Sequence, residues 1–231
     1  MAPDTQKPIG VGLLTKLPQP GFSKTRLARH TGDDVATRLA AAFLSDVAAI
    51  VAEVGRDPGV SPFVFYRPQG AERELASLLP PGLPMVLQTG EELGITMLAA
   101  LRHMLAVCPG GAILIGSDLP TLPVRVLREA IAALRPGGER AVFGPSVDGG
   151  YYLVGMTSDQ PAPLLAPLPW STPDVMRLTR ERAQKVKIDI VEVGTWFDVD
   201  DADDLARLRD ELTFLPATVA PHTRRVLLDL P

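Results

Sequence analysis

The strongest constraint on the fold is an alternation. Short apolar runs rich in β-branched residues take turns with segments of helical periodicity along most of the 231 residues. That pattern builds βαβ units, in which each helix crosses back over the sheet so that the next strand can pair parallel. It predicts an α/β three-layer sandwich with a mainly parallel central sheet. Ile9–Leu14 reads as the first strand, and Thr15–Phe22 as a Pro/Gly-rich loop. Asp33–Val54 is the clearest helix, because Leu39, Phe43, Val47, Ile50 and Val54 recur on one face. Val60–Tyr66, Met85–Leu87, Ala112–Ile115, Ala141–Phe143 and Val186–Val193 read as further strands. Ala71–Leu79, Gly94–Val107, Pro123–Leu134, Pro173–Gln184 and Ala202–Leu212 read as helices, and Asp159–Pro169 as a proline-rich loop. With no internal repeat and no long linker, the chain is expected to form one domain over 1–231, with its core at about 9–212 and no assigned role for 213–231.

Composition narrows the function classes. Hydrophobic residues at 46% and charged residues at 22% are globular values. A net charge of −4 with no basic run argues against nucleic acid as a partner. The single cysteine, Cys108, excludes an internal disulfide and a CxxC metal knuckle, which suits a reducing compartment. The longest apolar runs, such as Ala40–Leu44, are far short of a membrane span, and Met1–Pro8 has no signal-peptide core. A cytoplasmic enzyme with no membrane partner is the expectation, and a homo-oligomer stays open.

The candidate chemistry lies just past strand ends. Asp118 follows the buried-strand pattern Ala112-Ile113-Leu114-Ile115 and the break at Gly116. In open parallel sheets the carboxyl ends of the strands face the ligand crevice. Asp198-Val199-Asp200 comes after a later apolar segment, and alternate residues of an extended segment face the same way. Together Asp118, Asp198 and Asp200 are a candidate set for a hard cation, Mg²⁺ or Mn²⁺, held against phosphate oxygens. A turn or helix cap is the competing reading. Thr121, ahead of Pro123, is the better cap for the helix after Asp118, whereas Asp200-x-x-Asp203 itself resembles a helix start.

The loop Pro20-Gly21-Phe22-Ser23-Lys24-Thr25-Arg26-Leu27 puts Lys24 and Arg26 after the first strand, where such sheets take their nucleotide. A solvated basic turn is the alternative. Lys16, in the same loop region, joins them as a candidate substrate contact. Asp148-Gly149-Gly150-Tyr151 couples a carboxylate to glycines that let a ligand approach the backbone, although taken alone the segment reads first as an Asp-Gly hairpin turn. Asp148 and Asp118 are the candidate catalytic residues. Gln88 and Gly94 bound a polar loop suited to reading a base or sugar edge, and Trp170 lies on a loop that could line a pocket. His30, His103 and His222 have no metal-ligand spacing, and GxGxxG, the P-loop and Gly-x-Ser-x-Gly are all missing.

Five motifs then occur in order: Lys24-Thr25-Arg26-Leu27, Gly116-Ser117-Asp118-Leu119-Pro120, Asp148-Gly149-Gly150-Tyr151-Tyr152-Leu153, Trp170-Ser171-Thr172 and Asp198-Val199-Asp200. Together they resemble a bacterial family of GT-A-type, glycosyltransferase-like proteins, some associated with arsenosugar biosynthesis. The resemblance implies a nucleotide-diphospho-sugar transferase fold, with Asp118 in the metal-binding acidic motif and Asp198 and Asp200 as the second acidic pair. It further implies a nucleotide-sugar donor and a small-molecule acceptor. The chain is also similar to the 2-phospho-lactate guanylyltransferase family, which shares Lys-Thr-Arg-Leu, Ser-Asp-Leu-Pro and Asp-Gly-Gly. There Thr-Asn follows the glycines, where this chain has Tyr151-Tyr152. A further departure is Gly94-Ile95-Thr96-Met97, which lacks the first family's arginine before the methionine. Glycosyl transfer is therefore the leading expectation, with an aromatic pair at Tyr151-Tyr152 as a platform for a sugar. Nucleotidyl transfer and non-catalytic nucleotide binding are the alternatives.

Overall fold

The structure is a computed structural model that describes residues 6–165 and 167–230. Part of the polar start at Met1–Pro8, Ala166 of the expected loop and the last tail residue lie outside the described residues.

Seven strands form one sheet: β1 Ile9–Lys16, β2 Val60–Arg67, β3 Met85–Leu87, β4 Gly111–Ile115, β5 Arg140–Pro145, β6 Tyr151–Met156 and β7 Asp189–Glu192, in the order β3-β2-β1-β4-β6-β5-β7. Neighbours pair parallel except β6, which runs antiparallel to both β4 and β5. The alternation places Ile9, Val11 and Leu13 of β1 against α2 (Asp33–Val54) and α5 (Val124–Leu134) on one face. The other face packs on α4 (Leu93–Val107) and α6 (Val175–Val186) through Met97, Leu101, Met104 and Met176. In β4, Ile113 and Ile115 enter the first layer while Ala112 and Leu114 enter the second. Burial on both faces is why that strand reads as an unbroken apolar run.

β6 was not expected as a strand. The residues before it close a hairpin, with Gly149 N–H donating to Ser146 O and Ser146 N–H to Gly150 O, so the chain folds straight back. The helix expected over Ala71–Leu79 is shorter, α3 Glu72–Ala76, and Val186 ends α6 instead of opening β7. The basic loop runs directly into a short helix, α1 Thr25–Thr31.

The tail is also more regular than expected. After α7 (Ala202–Phe214) comes α8, Pro221–Leu228. Asp46 of α2 takes over the capping of α8, accepting from His222 N–H at 3.0 Å, Thr223 N–H at 2.9 Å and the Thr223 hydroxyl at 2.6 Å. Leu27, Leu39, Phe43, Phe197, Val199, Leu205, Leu208 and Ala220 complete a third apolar cluster beneath α7 and α8. α2 is long and apolar enough to cross a membrane, yet here its apolar residues are buried in two of these clusters.

Candidate functional site

The carboxyl ends of β1 and β4 lie side by side, and the loops leaving them carry the two chief candidates. Lys24 precedes α1 in the left-handed conformation at φ 49°, and its side chain is 6% exposed. Its ammonium lies 2.6 Å from Asp118 Oδ2 and 2.8 Å from Asp200 Oδ1. Arg26, 63% exposed, reaches the other oxygen of Asp200 at 3.1 Å. The basic loop is therefore not a solvated turn at Lys24. It is tied into the acidic cluster, while Arg26 faces outward.

Backbone pairing brings the acids together. Val199 N–H donates to Asp118 O at 3.0 Å, and the Val199 side chain is buried beneath. Asp198 and Asp200 consequently flank Asp118 on the opposite side of their segment, as the spacing predicts. The helix-start motif lies one residue later than expected: Asp201 caps α7, with Asp204 completing the capping box, so Asp200 is left to the ion pairs. Thr121 does not cap α5. Its hydroxyl binds Glu211 Oε2 at 2.7 Å, and Pro123 holds the cap position without a side-chain bond.

The electrostatics follow from this crowding. Burial opposes the charge on Lys24, but Asp118 and then Asp200 outweigh it and hold the ammonium above its ordinary pKa. Burial likewise opposes ionisation of Asp200, and Lys24 followed by Arg26 reverses that and lowers its pKa. Asp198 receives no such help. Burial first, then the charges of Asp118, Asp200 and Asp148 against a single opposing Lys24, push it up to about 7. It accepts a hydrogen bond from the Ser146 hydroxyl at 3.2 Å. Ser146 was not singled out in the sequence, although it stands two residues before Asp148.

Four carboxylates thus meet two side-chain cations. Among the described residues no three metal-ligating groups converge on one point. Asp118 and Asp200 do, at the position Lys24 Nζ fills. An all-oxygen pair with surplus negative charge behind it suits a Mg²⁺-like ion, which takes one or two carboxylates and completes its shell with phosphate oxygens and water.

The remaining candidates divide. Asp148 sits exposed in the hairpin turn, where it accepts from Gly150 N–H at 2.9 Å; the turn reading is correct for its backbone, and its charge still reaches Asp198. Gly149, at φ 89°, lies so close to Pro173 that a Cβ would stand 2.1 Å from its carbonyl oxygen. Tyr151 and Tyr152 do not form a pair. Both lie in β6, whose consecutive side chains face opposite ways, and with the bulge at Gly144/Pro145 it is Tyr151 that turns towards Phe143 and Trp170 and Tyr152 that takes the other face, where its hydroxyl donates to Gly194 O. Burial raises both phenol pKa values, and among the described residues the Tyr151 hydroxyl has no hydrogen-bond partner. Gly94 opens α4 directly under Trp170, where a Cβ would lie 2.5 Å from Leu165 O, so Gly94, Tyr151 and Trp170 form one wall.

Gln88 follows β3 directly and turns its amide back over the ends of β2 and β1. Its Nε2 donates to Thr15 O at 2.6 Å and Phe65 O at 2.9 Å, and its buried Oε1 has no partner among the described residues. Lys16 is exposed at the end of β1, in register with Arg67 of β2, a second cation the sequence did not suggest. Lys16, Arg67 and Gln88 stand at the carboxyl ends of β1, β2 and β3, on the opposite side of β1 from β4 and Asp118.

A search of curated protein sequences finds no match to the chain. Among solved structures, a protein from Desulfovibrio desulfuricans G20 with the provisional name nucleotide-diphospho-sugar transferase is 26% identical, with a TM-score of 0.84 over 96% of this chain and 94% of that one. The 4-diphosphocytidyl-2C-methyl-D-erythritol synthase of Anaerococcus prevotii DSM 20548 is 11% identical, with a TM-score of 0.56 over 90% and 97%. Glucosyl-3-phosphoglycerate synthase of Mycobacterium tuberculosis, solved with Mn²⁺, UDP and glucosyl-3-phosphoglycerate, is 14% identical, with a TM-score of 0.52 over 97% and 81%. The fold is that of the nucleotide-diphospho-sugar transferases, and these neighbours are transferases of glycosyl and nucleotidyl groups. Residues 50–172, more than half of the chain, match the family described as "Uncharacterized protein conserved in bacteria (DUF2064)", and the chain belongs to that family.

Proposed function

We propose that the protein is a divalent-metal-dependent transferase that takes a nucleotide-diphospho-sugar and passes its glycosyl group to a small-molecule acceptor. The observation that carries this reading is the meeting of Lys24, Asp118 and Asp200 at the edge between β1 and β4. Cations and carboxylates share one anchor there, as binding a metal-bound diphosphate requires. The full-length likeness to a protein named for this kind of transfer supports the donor class.

Asp118 and Asp200 would hold Mg²⁺ or Mn²⁺, with Asp198 behind them. When bound, the metal offsets the charge that grows on the departing diphosphate. Lys24 and Arg26 hold the phosphates from the β1 side through charge-assisted hydrogen bonds. Gln88 and Lys16 border the nucleoside end of the crevice, and the wall of Gly94, Tyr151 and Trp170 closes the α4 side. Asp148, on the rim, is placed to orient an acceptor hydroxyl or to take its proton.

Nucleotidyl transfer onto a phosphorylated small molecule is the second reading, and two observations favour it. The aromatic platform at Tyr151-Tyr152 is split, and Lys16 with Arg67 offers two adjacent cations for a further phosphate. The products decide. Incubation with nucleotide sugars and Mn²⁺ or Mg²⁺ should release nucleoside diphosphate slowly even with water as acceptor. Pyrophosphate released from a triphosphate plus a phosphorylated acceptor, with no nucleotide sugar turned over, would establish the second reading instead.

A further inference from the structure

We infer that Lys24 is the resident counter-ion of the metal site. A divalent cation binds by displacing its ammonium from between Asp118 and Asp200, and the freed ammonium then turns to the donor's phosphates. The inference rests on the metal-dependent reading above.

The geometry leaves room for one cation at a time. Nζ is 2.6 Å from one carboxylate oxygen and 2.8 Å from the other, in a side chain 6% exposed. Mg²⁺ or Mn²⁺ bound to the same oxygens at about 2.1 Å would occupy nearly the same point. An ammonium left beside it would face a double positive charge at contact distance, a repulsion that the partly desolvated surroundings strengthen. The stem can accommodate the move. The backbone of Lys24 is fixed, with its carbonyl accepting from Ala28 N–H at 2.8 Å, but the lysine side chain beyond Cα has rotatable bonds throughout. Arg26 already lies on the solvent side of the same loop, where a diphosphate would meet both side chains.

The exchange has a thermodynamic consequence. Metal alone must break a double ion pair whose lysine is buried and leave Lys24 without its carboxylates, so it binds weakly. A diphosphate supplies that partner, so metal and donor each strengthen the other's binding by the same factor.

Mn²⁺ titrations followed by electron paramagnetic resonance on wild type and Lys24→Met test this, with and without a nucleoside diphosphate. Without nucleotide, the variant should bind Mn²⁺ about 10-fold or more tighter than wild type, within the usual span of site coupling. Nucleoside diphosphate should tighten Mn²⁺ binding to wild type by a clearly larger factor than to the variant, in which only the phosphates' own bonds to the metal contribute. Equal or weaker Mn²⁺ affinity in the variant would overturn the inference while leaving the metal reading intact. Wild type that takes up no Mn²⁺ in either condition would defeat both. A second measurement needs no variant: Lys24 in wild type should be acetylated several-fold faster by acetic anhydride when Mn²⁺ is saturating. An unchanged rate, read by peptide mass spectrometry, would also overturn the exchange.

Discussion

Lys24 and Arg26 are neighbours that share Asp200, yet their substitutions should have different effects. Arg26 is mostly solvent-exposed, so Arg26→Ala should weaken donor binding by about 1–3 kcal/mol, the range for hydrogen bonds to charged groups. Its effect on unfolding should stay within about 0.5 kcal/mol. Lys24→Ala removes the cation from between two carboxylates and should cost about 1–3 kcal/mol of stability in metal-free buffer. Urea melts beside nucleotide titrations would separate the two; equal stability losses would show that burial does not distinguish them. Asp118→Asn should abolish metal-dependent nucleotide binding and leave a folded protein, and calorimetry showing unchanged affinity would remove Asp118 from the site. The acids and the basic loop were each legible in the sequence, because strand ends followed by polar residues mark a crevice. Their union was not: Lys24 and Asp200 are 176 residues apart. The parting of Tyr151 and Tyr152 follows from β6 itself, since consecutive strand residues face opposite ways, and the sequence did not show it because the paired glycines before them hid that strand.

Elements with a strong period were readable, and those fixed by a distant residue were not. α2 and α4 announced themselves through apolar spacing. α8 did not, since Ala220 at its start adopts φ 52° and offers no capping side chain. Asp46 caps it from α2, and Arg224 ties it back to the carbonyls of Leu212, Leu215 and Val219. Asp46→Ala should therefore cost about 1–3 kcal/mol through unpaired buried donors. Hydrogen exchange should then quicken in the tail first, and uniform exchange across the chain would refute the assignment. The hairpin before β6 depends likewise on Gly149. Gly149→Ala would force a side chain into left-handed backbone and against Pro173, and should cost more than about 1 kcal/mol. Its effect on acceptor use should exceed its effect on donor affinity.

For the molecule as a whole, α/β class and the parallel sheet followed from the alternation, whereas strand order required tertiary structure, because periodicity does not say which strands become neighbours. If the crevice takes a metal-bound nucleotide sugar, a concentration 100 times the Kd should add about 2.7 kcal/mol of stability. For a chain this size that is a rise of roughly 5–10 °C in Tm. Mn²⁺ or nucleotide sugar alone should give less than half of it; full stabilisation by nucleotide without metal would argue for a metal-free site. The reversed strand β6 has a consequence for how such a protein could diversify. Because β6 runs backwards between β4 and β5, its starting turn arrives at the same rim as the finishing ends of the parallel strands. In the proposed reading, the half built on β1, β2 and β3 keeps the donor while this turn varies only at its tip, held at Ser146 by Asp198 and at Gly149 by Pro173. If that reading holds, grafting the tip between relatives should change which acceptor is used while leaving donor affinity as it was.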